Sequence, residues 1–165
     1  MLYLLDANVL IDANRDYYPI AVVPEFWAWL EFVCGNGDVK MPVETFEEVT
    51  VSNDALSQWA KSEAVKSALL LEEAVEVGLV SHATSVGYAA DLSDIEIKKV
   101  GRDPFLVAYG LVAEDRCIVS TEVSKPKAQR ANRRLPDVCD TLGVNFCHTF
   151  RLIRDLKFST GWQHP

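Results

Sequence analysis

The chain is 165 residues long and 49% apolar, with 16 basic against 24 acidic side chains and a formal net charge of −8. That length suits one domain, residues 1–165, with enough apolar content to bury a full core. The acidic balance excludes a general attraction to polyanions, so a nucleic-acid ligand needs a local basic surface. No apolar stretch approaches the ~18 residues that span a bilayer, and Asp6 interrupts the N-terminal apolar residues with no basic segment before them, which argues for a cytoplasmic protein without a secretory signal.

Short strands and helices alternate along the chain, the pattern of an α/β domain with a central parallel sheet of about four strands flanked by helices. Leu2 to Leu5 reads as the first strand, ending at Asp6 with Asn8 two residues on. Pro24 to Val33 reads as a helix with Pro in its first turn and an apolar face of Phe26, Trp29, Leu30 and Val33. Val39 to Met41 is a second strand, and Pro42 to Val49 turns helical, with Val43, Phe46 and Val49 as its buried stripe. Asn53 to Gly78 is the most helical stretch, divided near Ser62, its second helix running through Leu70 and Leu71 and closed by Gly78 at C′.

Residues 79–101 carry little local signal beyond a solvated helix face of Asp91, Asp94 and Glu96 against Lys98 and Lys99. Asp103-Pro104 reads as a helix start, Asp at N-cap and Pro at N1. Cys117 to Ser120 forms a third strand ending in Thr121-Glu122, Leu135 to Leu142 a helix stopped by Gly143, Val144 to Phe146 a fourth strand, and Thr149 to Phe158 a closing helix.

Acids therefore stand at three strand or helix junctions, Asp6, Asp103 and Glu122, with a fourth supplied by Glu44, Glu47 or Glu48. Parallel strand ends bring such junctions together. Four convergent carboxylates repel one another unless a divalent cation neutralises them, and Mg²⁺ or Mn²⁺ suits an oxygen-rich site. One ion, or two ~4 Å apart, would serve metal-assisted hydrolysis of a phosphodiester. Asp6 and Asp103 could equally act as helix caps, and Glu122 as an ordinary loop acid. Asn8 and Ser120 are candidates to orient a carboxylate by hydrogen bonding, whereas Asp12, Asp91, Asp94 and Asp137 read as caps or solvated charges.

After Glu122, Lys125, Lys127, Arg130, Arg133 and Arg134 place five positive charges in ten residues without an acid, a candidate substrate-binding loop. Arg102 is a weaker candidate of the same kind. Tyr17, Tyr18, Trp27 and Trp29 read as packing residues rather than as a base-stacking platform. Cys34, Cys117, Cys139 and Cys147 form no CxxC pair and have no clustered His, so zinc has weak support and free thiols are expected. His82, His148 and His164 are scattered, and His164 sits in the terminal tail.

At these residues the chain resembles the PIN-domain ribonucleases, whose best-known members are the VapC-type toxins of toxin–antitoxin modules. Leu4-Leu5-Asp6-Ala7-Asn8 matches the family's opening strand with Asp-x-Asn; Glu48-Val49 matches its second acid, Asp103-Pro104-Phe105-Leu106-Val107-Ala108 its third, and Val119-Ser120-Thr121-Glu122 stands where Val-Thr-Asn-Asp is usual. Pro136-Asp137-Val138-Cys139 fits a PIN-like branch that also carries Asp-Pro-aromatic-Leu in the third motif. The resemblance covers about residues 1–150 and implies a PIN-like domain with Asp6, Glu48, Asp103 and Glu122 as catalytic metal ligands. It also implies single-stranded or looped RNA as substrate, an antitoxin protein as a partner and a homodimer. Glu in place of Asp at 122 departs from the pattern and suggests contact with the metal through water.

Two other readings compete. A haloacid-dehalogenase-type phosphatase also opens on a strand ending in Asp, but needs a second Asp where this chain has Asn8. A PIN-like RNA-binding or protein-interaction module with an impaired metal site is the stronger rival.

Overall fold

The computed structural model describes residues 1–163; His164 lies outside the described residues. Leu2–Leu5 forms β1, Ala7–Asp12 forms α1, which continues as a π-helical turn to Tyr17, and Pro24–Gly35 forms α2. Val39–Lys40 is β2, followed by α3 (Val43–Thr50), α4 (Ala55–Lys61) and α5 (Glu63–Leu69). Val77–His82 is α6, which runs on as a π-helix, Ala83–Tyr88, before α7 (Asp94–Val100) and α8 (Asp103–Leu111). Then come β3 (Arg116–Ser120), a 3-10 turn at Arg130–Asn132, α9 (Leu135–Leu142), β4 (Asn145–His148) and α10 (Thr149–Asp155).

The four strands make a single all-parallel sheet in the order β2-β1-β3-β4, with Leu4 beside Lys40 and Ile118, and Val119 beside Cys147. Alternation along the strands splits the core in two. Tyr3, Leu5, Val39, Cys117 and Val119 face a cluster built from α1 to α5 and α10, including the buried Trp27 and Trp29. Leu4 and Ile118 face the opposite cluster, with Tyr88, Leu106, Tyr109, Leu135 and Val138. Helices on both faces leave β1 and β3 buried almost throughout, as expected of a parallel sheet. No helix is long and apolar enough to cross a membrane among the described residues.

Several local expectations give way to tertiary contacts. The helix expected to run to Gly78 ends at Leu69, because Leu70 leaves it to bridge Met41, and the backbone N–H groups of Met41 and Leu71 donate across that bridge. Gly78 therefore sits inside α6 rather than closing a helix. Val43 is 40% exposed, and Thr45 takes its place beside Phe46 and Val49 in the buried face of α3. Trp27 and Trp29 pack in the core as read, and Tyr18 stacks on Phe26, whereas Tyr17 is exposed against the equally exposed Phe150. All four cysteines are free thiols.

Gly110 marks the tightest crossing of α8 over the sheet. A Cβ there would lie 2.7 Å from Val144 Cγ1 and 3.0 Å from Ile118 Cδ1. Gly110→Ala is expected to cost about 1–3 kcal/mol through overpacking, despite the helix propensity of Ala. Urea unfolding checks this, and an equal or higher midpoint would refute it.

Candidate active site

Asp6 follows the last residue of β1 and is only 6% exposed. Thr45 Oγ1, on α3, donates to the Leu5 carbonyl at 3.2 Å, and the Asp6 N–H donates to Val119 O at 2.9 Å, so the strand end is fixed from both sides. The Asp6 carboxylate does not cap α1. Its Oδ2 accepts from Ser120 Oγ at 2.7 Å and from Asn8 Nδ2 at 3.2 Å, the orienting role read for both residues. Burial pushes the Asp6 carboxyl above its ordinary range against these two bonds, and the charge of Glu122 adds to the rise.

Asp103, expected at the N-cap, is instead the first residue of α8, and Arg102 holds the N-cap. Its side chain caps nothing; Oδ2 accepts from the phenol of Tyr88 at 3.1 Å. Burial, then the charges of Asp6, Glu122 and Glu48, raise this carboxyl to about 7, with the Tyr88 bond opposing them. Tyr88 is 6% exposed at the end of the π-helix, and burial next to Asp103 raises its phenol so that it remains a donor. It is the residue of this cluster that sequence reading missed, since it lies in the stretch with least periodic signal.

Glu48 and Glu44, alternatives on one helix, point to different places. Glu48 is raised by burial and by the charge of Asp6, partly offset by Arg102, whose Nε stands 3.8 Å away. Glu44 instead lies beside Tyr109, whose phenol is pushed up to about 12 by burial and the Glu44 charge. The buried Glu44 Oε2 has no hydrogen-bond partner. Glu48 is thus the acid that joins Asp6 and Asp103, while Glu47 is drawn to Arg102 at 2.7 Å.

Glu122 sits just beyond β3 and is tied down at both oxygens, to Arg134 Nη1 at 3.2 Å and to the Leu135 N–H at 2.8 Å. Its own N–H donates to Ser120 Oγ at 3.1 Å, so Ser120 links the two acids. Asp12, read as a cap or solvated charge, accepts from Thr121 Oγ1 at 2.6 Å and pins the loop after β3 to α1.

The basic loop divides. Lys125, Arg133 and Arg134 line a cavity of about 280 Å³ together with Asp103 and Glu122; Lys127 and Arg130 are not among its lining residues. Arg130 forks onto Glu96 and reaches Asp91, and Arg133 donates to the Gly87 and Asp137 carbonyls and to Thr141. Both arginines brace the loop; Arg130 is paired with carboxylates, whereas the partners of Arg133 are neutral. Asp137 likewise holds the loop, accepting from Ser124 and from the Lys125 N–H.

Among the described residues, no three His, Cys, Asp or Glu side chains are placed to hold a metal ion together. The acids are turned toward Ser120, Asn8, Tyr88, Arg102 and Arg134 instead. The donor chemistry nonetheless fits a hard divalent cation: four carboxylates from four elements, three of them with raised pKa values, carry mutual repulsion that a cation would relieve.

Tyr88→Phe removes the one hydrogen bond opposing the rise at Asp103. It is expected to raise the Asp103 carboxyl by about one pH unit, read by carboxyl-carbon chemical shift across a titration. An unchanged or lower titration point would show that the phenol does not support the charged form.

No curated protein matches the chain. Residues 3–160, nearly its whole length, match the family described as a domain of unknown function (DUF4411), and the chain belongs to that family.

Proposed function

We propose that the protein is a metal-dependent nuclease that hydrolyses phosphodiester bonds, with Asp6, Glu48, Asp103 and Glu122 as its acidic set. The observation that carries the reading is electrostatic. Acids from the end of β1, α3, α8 and the end of β3 gather at the carboxyl edge of a parallel sheet, and each of Asp6, Glu48 and Asp103 is raised first by burial and further by the charge of another member. A cluster of this kind, only partly offset by Arg102 and Arg134, costs stability, which favours a function that uses it. RNA as substrate, the toxin role, an antitoxin partner and a homodimer rest on the PIN-domain resemblance.

Bound Mg²⁺ or Mn²⁺ would supply charge neutralisation and a water nucleophile at neutral pH. The chain's own residues do the positioning. Ser120 and Asn8 fix the rotamer of Asp6, Tyr88 fixes that of Asp103, and Arg134 holds Glu122 toward the shared cavity. Lys99 and Lys125 line the same cavity and offset the acidic charge that an anionic substrate meets.

A second reading, a binding module with an impaired metal site, draws on the two bonds that engage both oxygens of Glu122. Cleavage of a labelled RNA pool with Mn²⁺, with Mg²⁺ and with EDTA separates the two. The nuclease reading expects metal-dependent cutting that EDTA stops. Binding without cutting under either metal would favour the module.

A further inference from the structure

The cavity beside the acids is lined by two carboxylates, Asp103 and Glu122, and by four cations, Lys99, Lys125, Arg133 and Arg134, of which Arg134 pairs with Glu122. Two of its cations, Lys99 on α7 and Lys125 after β3, are exposed and form no ion pair with a carboxylate among the described residues. Lys99 Nζ donates to Asn132 Oδ1, which joins α7 to the 3-10 turn and fixes the ammonium at the rim. Val100, Ala128 and Ala131 supply apolar surface to the same cavity.

The segments that carry these lysines are braced by contacts outside the cavity. A capping box at the start of α7 sets Glu96 against Ser93, and the same Glu96 receives the guanidinium fork of Arg130. Arg130 adopts φ 54, a left-handed conformation that is costly for a residue with a side chain. Its bonds to Glu96, Asp91 Oδ1 and the Asp91 carbonyl hold it there, and such held strain is characteristic of loops that shape a ligand site.

At about 280 Å³ the cavity falls near the lower limit of small-molecule sites, roughly 300 Å³. That is room for a single small ligand. We propose that it takes a single unstacked nucleotide of a nucleic-acid strand, with a phosphate held between Lys99 and Lys125 and the nucleoside against Val100, Ala128 and Ala131. A duplex would have to extrude that nucleotide from its stack. The preferred substrate is therefore single-stranded at the position next to the acids. This rests on the nuclease reading for the identity of the ligand, while the pocket itself is tested without cleavage.

The probes are adenosine 5′-monophosphate, adenosine and inorganic phosphate, titrated calorimetrically in Mg²⁺ against the wild type and the Lys99→Gln/Lys125→Gln double variant. Both lysines are exposed, so the double variant should keep the fold. Lys66→Gln, exposed on α5 across the sheet, serves as the control. The mononucleotide should bind more tightly than either fragment, lose at least about tenfold in the double variant, and be unaffected in the control. Equal affinity in wild type and double variant, or a mononucleotide no tighter than adenosine, overturns the proposal. A protein that binds the mononucleotide through the lysines yet cuts no RNA keeps the pocket and loses the nuclease reading. Cutting that is indifferent to the double substitution, with unchanged mononucleotide affinity, keeps the nuclease and removes the pocket.

Discussion

Asp103→Asn is expected to stabilise the metal-free protein at pH 8 by about 2–4 kcal/mol while abolishing metal-dependent cleavage. The magnitude follows from a carboxyl raised from 3.8 to about 7, at roughly 1.36 kcal/mol per unit, reduced because water still reaches a half-buried group. The sign follows from proton linkage. Between pH about 4 and about 7 the native state holds a proton on Asp103 that the unfolded chain has released. Stability is thus fully present below the unfolded pKa and falls as pH rises through the native one. Asn carries no charge at any pH and can still accept from Tyr88, so the variant should show a flatter pH profile and match the wild type near pH 4. Divalent metal should recover stability in the wild type, by about 2.7 kcal/mol at a hundredfold excess over Kd, and much less in the variant. Denaturant unfolding at pH 4 and 8, in EDTA and in Mn²⁺, measures all four corners. Parallel pH profiles for the two proteins would mean that the cluster is not repulsive.

Asp6→Asn is expected to lower cleavage about a thousandfold, the several kcal/mol that a metal-held carboxylate contributes to transition-state charge stabilisation. The substitution is nearly isosteric. Ser120 can still donate to the remaining oxygen, and the strand end stays fixed by Thr45 and Val119, so fold and RNA affinity should be retained. Gel cleavage assays beside filter binding provide the comparison. Loss of binding in step with cleavage would assign Asp6 to the scaffold, and unchanged cleavage would remove the metal site from the chemistry.

Much of the fold is written in local pattern. β1 is legible because four apolar residues can only be buried as a central strand, and an acid at its carboxyl end marks the sheet edge where ligand sites form. α9 and its stop are legible because Gly143 adopts φ 69, a conformation that the sequence announces through the glycine itself. Asp103 was found through the dipeptide Asp-Pro, although its carboxylate serves Tyr88 and not the helix end. Gly78 misled for the reverse reason: a glycine after a helical run looks like a stop, but the bridge from Leu70 to Met41 had already ended the helix.

What the sequence by itself determined is the alternation of strands and helices, the parallel sheet, and three of the four acids at its edge, because each depends on neighbours within a turn or a strand. Only the tertiary structure decided between Glu48 and Glu44, brought Tyr88 to Asp103, engaged Arg130 with Glu96, and placed Lys99 beside Lys125 among the cations that line the cavity. The physical reason is range. A carboxylate or guanidinium is satisfied by whichever partner the fold brings within about 3 Å, and Arg130 finds its partner 34 residues away, where no local periodicity reports it.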